Sequence, residues 1–167
     1  MSYADAQVVV LSTIDWAAAW QRHQIFAAQF AAAGHRVFFV ENTGFRDPGL
    51  ADAGRIAQRL ARLTGRRTET PQEAPAGVTV LSPAVLPPTR PSFRLVNDAW
   101  LVPRLVARLA SGGLRPGPIV IVYVATATTA ALLERLAPAL IVYDCASHFA
   151  APPAAPPDFD APAAPLL

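Results

Sequence analysis

Three short stretches hold most of the side chains able to do chemistry. Asp15, Trp16, Trp20, Arg22, His23 and Gln24 crowd into ten positions. Glu41-Asn42-Thr43-Gly44 is followed closely by Arg46, and Tyr143-Asp144-Cys145 by Ser147 and His148. Asp144 is of the type that can orient a hydroxyl or take its proton, and His148 is a candidate general base by type. Arg22 is a planar fork donor suited to carboxylate or phosphate. With Trp16 and Gln24 it reads as a sugar or phosphate contact at a helix start. The plain alternative is that the Trp side chains pack and the polar groups cap and solvate that start. Glu41 and Asn42 can hydrogen-bond ligand hydroxyls; the alternative is a turn with Gly44 at positive φ. A Glu at the end of a buried strand is costly unless it has partners. Cys145 with His148 forms a conceivable nucleophile pair, but a lone Cys at a strand end is usually just buried.

Such groups need rigid elements behind them. Val8–Leu11, 36–41, Val78–Leu81, 119–124 and 139–143 are short apolar runs, which is how strands buried on both faces read. Between the first two, a helical pattern runs to about Ala33, with Phe26, Phe30 and Ala33 on one face and Gly34 closing it. Asp52 can cap a helix to about Thr64. Ser92 can cap another, whose stripe is Leu95, Ala99, Val102, Val106 and Leu109, with Pro103 predicted to kink it. A short helix is predicted from about Thr128 to Leu136. Strands alternating with helices predict an α/β fold: a doubly wound, mainly parallel, Rossmann-like sheet of about five strands over residues 1–149. Residues 150–167 hold 6 Pro and 7 Ala in 18 positions and read as an extended or disordered tail.

Open α/β sheets bind ligands at the carboxyl ends of their strands. The groups predicted there are Ser12, Thr13, Asp15 and Trp16; Glu41, Asn42 and Arg46; Ser82; Thr126; and Asp144, Ser147 and His148. The opposite edge is mostly Gly, Ala and Pro.

Composition narrows the classes. The 167 residues are 53% hydrophobic and 16% charged, which excludes bulk disorder and suits one domain. All 14 basic residues are Arg, and the net charge is only +2, so no nucleic-acid footprint is read. Arg55, Arg59, Arg62 and Arg66 line one side of the predicted helix there. They form either a solvated face or a peripheral contact with anionic membrane. One Cys excludes an internal disulfide, and three unpaired His give no metal site. There is no signal-peptide pattern and no apolar run long enough to span a bilayer, so a cytoplasmic chain is expected, with contact at the inner membrane face as an extension. A Gly-x-Gly-x-x-Gly fingerprint and a Gly-Lys-Ser/Thr phosphate loop are both absent, which counts against a nucleotide-dependent dehydrogenase.

Four pieces in order carry a family resemblance: Asp15-Trp16 with Gln21-Arg22-His23-Gln24, Val40 to Arg46, Leu81-Ser82-Pro83 with Leu86-Pro87-Pro88, and Ile141 to Cys145. Over about residues 7–149 they resemble the N-terminal half of bacterial glycosyltransferases of the GT-B fold, in the group that builds cell-surface polysaccharides. The resemblance implies sugar transfer from a nucleotide-sugar donor to a sugar or lipid-linked acceptor, without a metal or other cofactor. It implies that this half holds the acceptor, with acceptor or catalytic contacts at Asp15, Trp16, Arg22, His23, Gln24, Glu41, Asn42 and after Tyr143-Asp144, and with Asp15, His23 and Asp144 as the catalytic residues. Related sequences often carry acidic residues where Ala146-Ser147-His148 stand. The donor half, with its paired glutamates seven residues apart, has no counterpart here, so this chain alone is expected to be inactive and to leave a sheet edge exposed. The alternative is a non-catalytic, Rossmann-like module that binds a sugar or nucleotide.

Overall fold

The computed structural model describes residues 5–41, 74–86 and 90–144. Five strands form one sheet: β1 (Val8–Leu11), β2 (Val37–Val40), β3 (Val78–Leu81), β4 (Ile119–Val122) and β5 (Leu140–Tyr143). Every pairing is parallel and the order is β3-β2-β1-β4-β5. Each strand falls inside the apolar run that predicts it. β-Branched and aromatic residues fill β1 and β2, which are buried on both faces because helices cover both sides.

Helix α1 (Arg22–Ala32) follows β1 and packs Ala27 on the face made by Val8, Val10, Val37, Phe39, Ile119 and Ile121. The opposite face, built from Val9, Leu11, Phe38, Val40, Val120 and Val122, takes α3 (Val102–Ser111) and α4 (Ala127–Leu136). This is the doubly wound, Rossmann-like arrangement. Leftward β1→β2 and rightward β4→β5 crossovers place their helices on opposite faces, as right-handedness requires. Burial of these two layers is the main stabilising term, at about 25 cal/mol per Å² of apolar surface.

Two helical faces differ from expectation. The segment before β4 is α2 (Pro91–Val96), a π-helical turn (Asn97–Leu101) and α3, with Arg90 rather than Ser92 at the N-cap. The π turn absorbs an extra residue and rotates the phase of the helix beyond it. Asn97, Val102, Leu105 and Leu109 are therefore buried, while Leu95 is 70% exposed and Val106 only partly buried. Pro103 sits in the first turn of α3, where a missing N–H is tolerated. On α1 the buried residues are His23, Gln24 and Ala27, whereas Phe26 is exposed. Polar partners at the sheet rim draw His23 and Gln24 inward and turn Phe26 out, while Phe30 of the predicted face stays packed against the core. The predicted helix of residues 52–64 and the 150–167 tail lie outside the described residues.

Candidate functional site

The in-register sheet builds the site. Leu11, Val40, Leu81, Val122 and Tyr143 pair across the sheet as one row. The residue after each strand therefore stands on a common carboxyl rim, in the order Ser82, Glu41, Ser12, Tyr123, Asp144. Backbone bonds extend the ladder to this row: Ser12 N–H to Val40 O, Glu41 N–H to Leu81 O and Asp144 N–H to Val122 O, each 2.9 Å. Strand alternation assigns the row to the face of α1. The winding reverses between β1 and β4, the topological switch point where such sheets form a crevice.

The rim divides into two halves. On the β2–β3 side Glu41 is buried, and both its oxygens are occupied. The Trp16 backbone N–H donates to Oε1 at 2.8 Å and the Ser82 hydroxyl donates to Oε2. Glu41 thus ties the β1–α1 loop to β3. Gln24 works similarly. Its Oε1 accepts the Gln21 N–H at 3.1 Å, and its amide donates to the carbonyls of Asp15 and Trp16 at 3.4 Å. Both residues hold the loop from inside. Trp16 is buried edge-on against Phe39, with centroids 4.9 Å apart, and its indole Nε1 has no partner. Asp15 is half-buried in the same loop.

On the β4–β5 side the groups converge. His23, in the first turn of α1, lies against Tyr123 with ring centroids 3.6 Å apart. Its Nδ1 is 3.0 Å from the Ser12 hydroxyl. Arg22 reaches Asp144 with Nη1–Oδ1 at 2.6 Å, and so closes the outer side. The Tyr123 hydroxyl and Asp144 Oδ2 are buried and, among the described residues, have no hydrogen-bond partner. Burial lowers the His23 pKa to about 4; Asp144 acts to raise it and Arg22 to lower it further. Burial likewise pushes the Tyr123 phenol up, with Asp144 adding to the rise. At neutral pH this side of the rim therefore holds a neutral imidazole, a neutral phenol and an already paired Arg–Asp couple.

Of the sequence-predicted residues, Arg22, His23 and Asp144 come together here. Trp16, Gln24 and Glu41 lie beside them as the loop's internal frame, with Asp15 in that loop. Asn42, Arg46 and His148 lie outside the described residues, as do Arg55, Arg59, Arg62 and Arg66. Tyr123 was missed because it sits inside an apolar run and reads as strand. The signal was its register: β4 stops at Val122, level with Leu11, so position 123 is rim. Thr126, predicted to be the exit of that strand, instead caps α4, accepting the Thr129 N–H at 3.1 Å. Among the described residues no group of His, Cys, Asp and Glu is placed to hold a metal ion. None of their helices is long and apolar enough to cross a membrane.

No family model, curated protein or solved structure matches the chain. The function must therefore be argued from the rim itself.

Proposed function

We propose that the β1–β4–β5 rim binds a neutral, hydroxyl-rich ligand, as the acceptor side of a sugar-transfer enzyme. The observation that carries this reading is the pair of buried polar atoms without partners among the described residues at the exits of β4 and β5, Tyr123 Oη and Asp144 Oδ2. An unmet buried polar group costs about 1–3 kcal/mol, so it persists where something else satisfies it in use. Together with His23 these groups mostly accept hydrogen bonds. A carboxylate accepts only, the imidazole is neutral, and the phenol does either. Ligand hydroxyls supply the donors such a wall needs, whereas a phosphate dianion supplies none. Arg22, the one cation in the cluster, is already paired with Asp144.

In the transfer reaction the acceptor oxygen would bond to the donor's anomeric carbon as the bond to the nucleotide diphosphate breaks. The hydroxyl proton would leave toward Asp144 or His23. A partner domain would hold the donor and stabilise the leaving diphosphate. One observation favours the non-catalytic alternative. An imidazole with a pKa of about 4 is a weak base for that proton.

The test is titration of the 15N-labelled chain with methyl glycosides of common hexoses and, separately, with nucleoside diphosphates. The expected result is movement of the Tyr123, His23 and Asp144 signals with the glycosides, weakened in Tyr123→Phe. Nucleoside diphosphates moving those signals while glycosides do not would overturn the reading in favour of a nucleotide-binding module.

A further inference from the structure

The Ser12 hydroxyl stands at a node of three contacts whose proton count has one solution. Its Oγ accepts the Ile14 N–H at 3.1 Å. It also lies 2.9 Å from the Ile14 carbonyl oxygen and 3.0 Å from His23 Nδ1. A serine hydroxyl owns a single proton and two acceptor lone pairs. Were that proton given to Nδ1, Oγ and the Ile14 oxygen would face each other at 2.9 Å with lone pairs only. With the proton on the Ile14 carbonyl, the His23 contact takes its proton from Nδ1. Every contact then carries one proton, and Oγ accepts two bonds and donates one.

We propose that Ser12 is a positioning residue that locks His23 in the Nδ1–H tautomer and so leaves Nε2 as a bare lone pair at the rim. This is the reverse of the form that free histidine favours in water. The lock is built from three elements. Ser12 follows β1, the Ile14 peptide holds its hydroxyl from the loop, and Tyr123, just after β4, fixes the ring plane by stacking. Among the described residues Nε2 has no hydrogen-bond partner. The charged groups that face the ring are Asp144 from β5 and Arg22 from α1 itself, and they are bound to each other. The only free valence of the imidazole is therefore an acceptor.

The use of that acceptor, to receive a ligand hydroxyl, rests on the reading proposed above; the tautomer does not. A ligand that offers a donor to Nε2 finds it already oriented, and none of its binding energy goes into moving a proton. Other histidines are oriented in the same way when one ring nitrogen is held so that the other can work.

The experiment is a long-range 1H–15N correlation on the full chain labelled with 15N-histidine, recorded at neutral pH without ligand. His23 is identified by the signal lost in His23→Asn. The expected spectrum shows Nδ1 at a protonated shift and Nε2 at a bare one. Ser12→Thr should keep that pattern and Ser12→Ala should exchange the two shifts. A wild-type spectrum with Nε2 protonated overturns the proposal by itself, even if Ser12→Ala does not fold. A pattern unchanged in a folded Ser12→Ala protein also overturns it. Because no ligand is present, failure of glycoside binding leaves this result intact, and a wrong tautomer sinks the lock even if glycosides bind.

Discussion

The imidazole of His23 lies nearly flat on the phenol of Tyr123, with planes 19° apart. One ring comes from the first turn of α1 and the other from the residue after β4. The stack joins α1, which follows β1, to the end of β4, and so bridges the switch point between those two strands.

The phenol oxygen can be removed without removing the stack. Tyr123→Phe deletes a buried hydroxyl that has no partner among the described residues. Stability in urea should be unchanged or higher, by up to about 1–2 kcal/mol, since an unmet desolvation cost is lifted. Glycoside binding should fall. A loss of more than about 1 kcal/mol in the urea midpoint analysis would mean that the hydroxyl is satisfied in solution.

Acid should weaken the fold through His23. Its folded pKa is about 4, against 6.5 when unfolded. Between those values the unfolded chain binds the extra proton, so stability is full above pH 6.5 and is lost as pH falls toward 4. From pH 7 to pH 5 the loss is no more than about 2 kcal/mol, at about 1.36 kcal/mol per pH unit below 6.5. Urea melts at the two pH values give the difference, and His23→Gln should remove this part of it. A slope equal in both proteins would assign the acid sensitivity to other groups.

Arg22 and Asp144 act on His23 in opposite senses, and their variants should separate. Asp144→Asn removes the carboxylate that favours the imidazolium and should lower the His23 pKa further. Arg22→Ala removes the opposing cation and should raise it. The Arg22 side chain is largely exposed, so breaking the ion pair should cost under about 1 kcal/mol of stability. An NMR titration of the His23 ring reads both signs. Shifts in the same direction would mean that the two side chains do not meet at the ring.

The strands were legible because each is a short, mainly apolar run, and parallel order follows from their alternation with helices. The rim was legible where its residues are charged, as at Glu41 and Asp144. Two things were not. Register is a relation between strands, so Tyr123 could not be placed on the rim from its own run. Helix phase was lost where a polar side chain is pulled inward, as with His23 and Gln24, or where a π turn inserts a residue, as at Asn97–Leu101. A hydrophobic period cannot register either event, because each is offset by side-chain hydrogen bonds to groups outside the helix.

Asn97 shows the scale of such bonds. It is buried, accepts the Leu86 N–H at 2.8 Å, and donates to the Leu86 carbonyl and the Thr128 hydroxyl at 2.7 and 3.0 Å. It pins the segment after β3 to the start of α4. Asn97→Ala would leave these groups without partners and should cost about 2–4 kcal/mol. Asn97→Leu should fare no better, since it fills the space but orphans the same backbone groups. Thermal melts of both variants test this, and near-wild-type stability in either would show that water replaces the amide.

Strand β5 sits at the sheet edge, and Leu140, Ile141 and Val142 are 39%, 38% and 41% exposed. Right-handed winding explains the exposure of Leu140 and Val142, which lie on the face of α1. The rightward β4→β5 crossover carries α4 to one face, while α1 covers the other face chiefly toward β2. In the described sheet β4 is the strand neighbour of β5, which ends the strand order. The strand also lacks the charge or proline that usually guards an edge. Alternation places Val142 on the face of α1, so Val142→Lys would set a charge on that open surface. It should change stability by under about 1 kcal/mol while lowering self-association in light scattering at high concentration. A cost above about 2 kcal/mol would show that this surface is buried in solution. Unchanged scattering would show that the edge is not where copies meet.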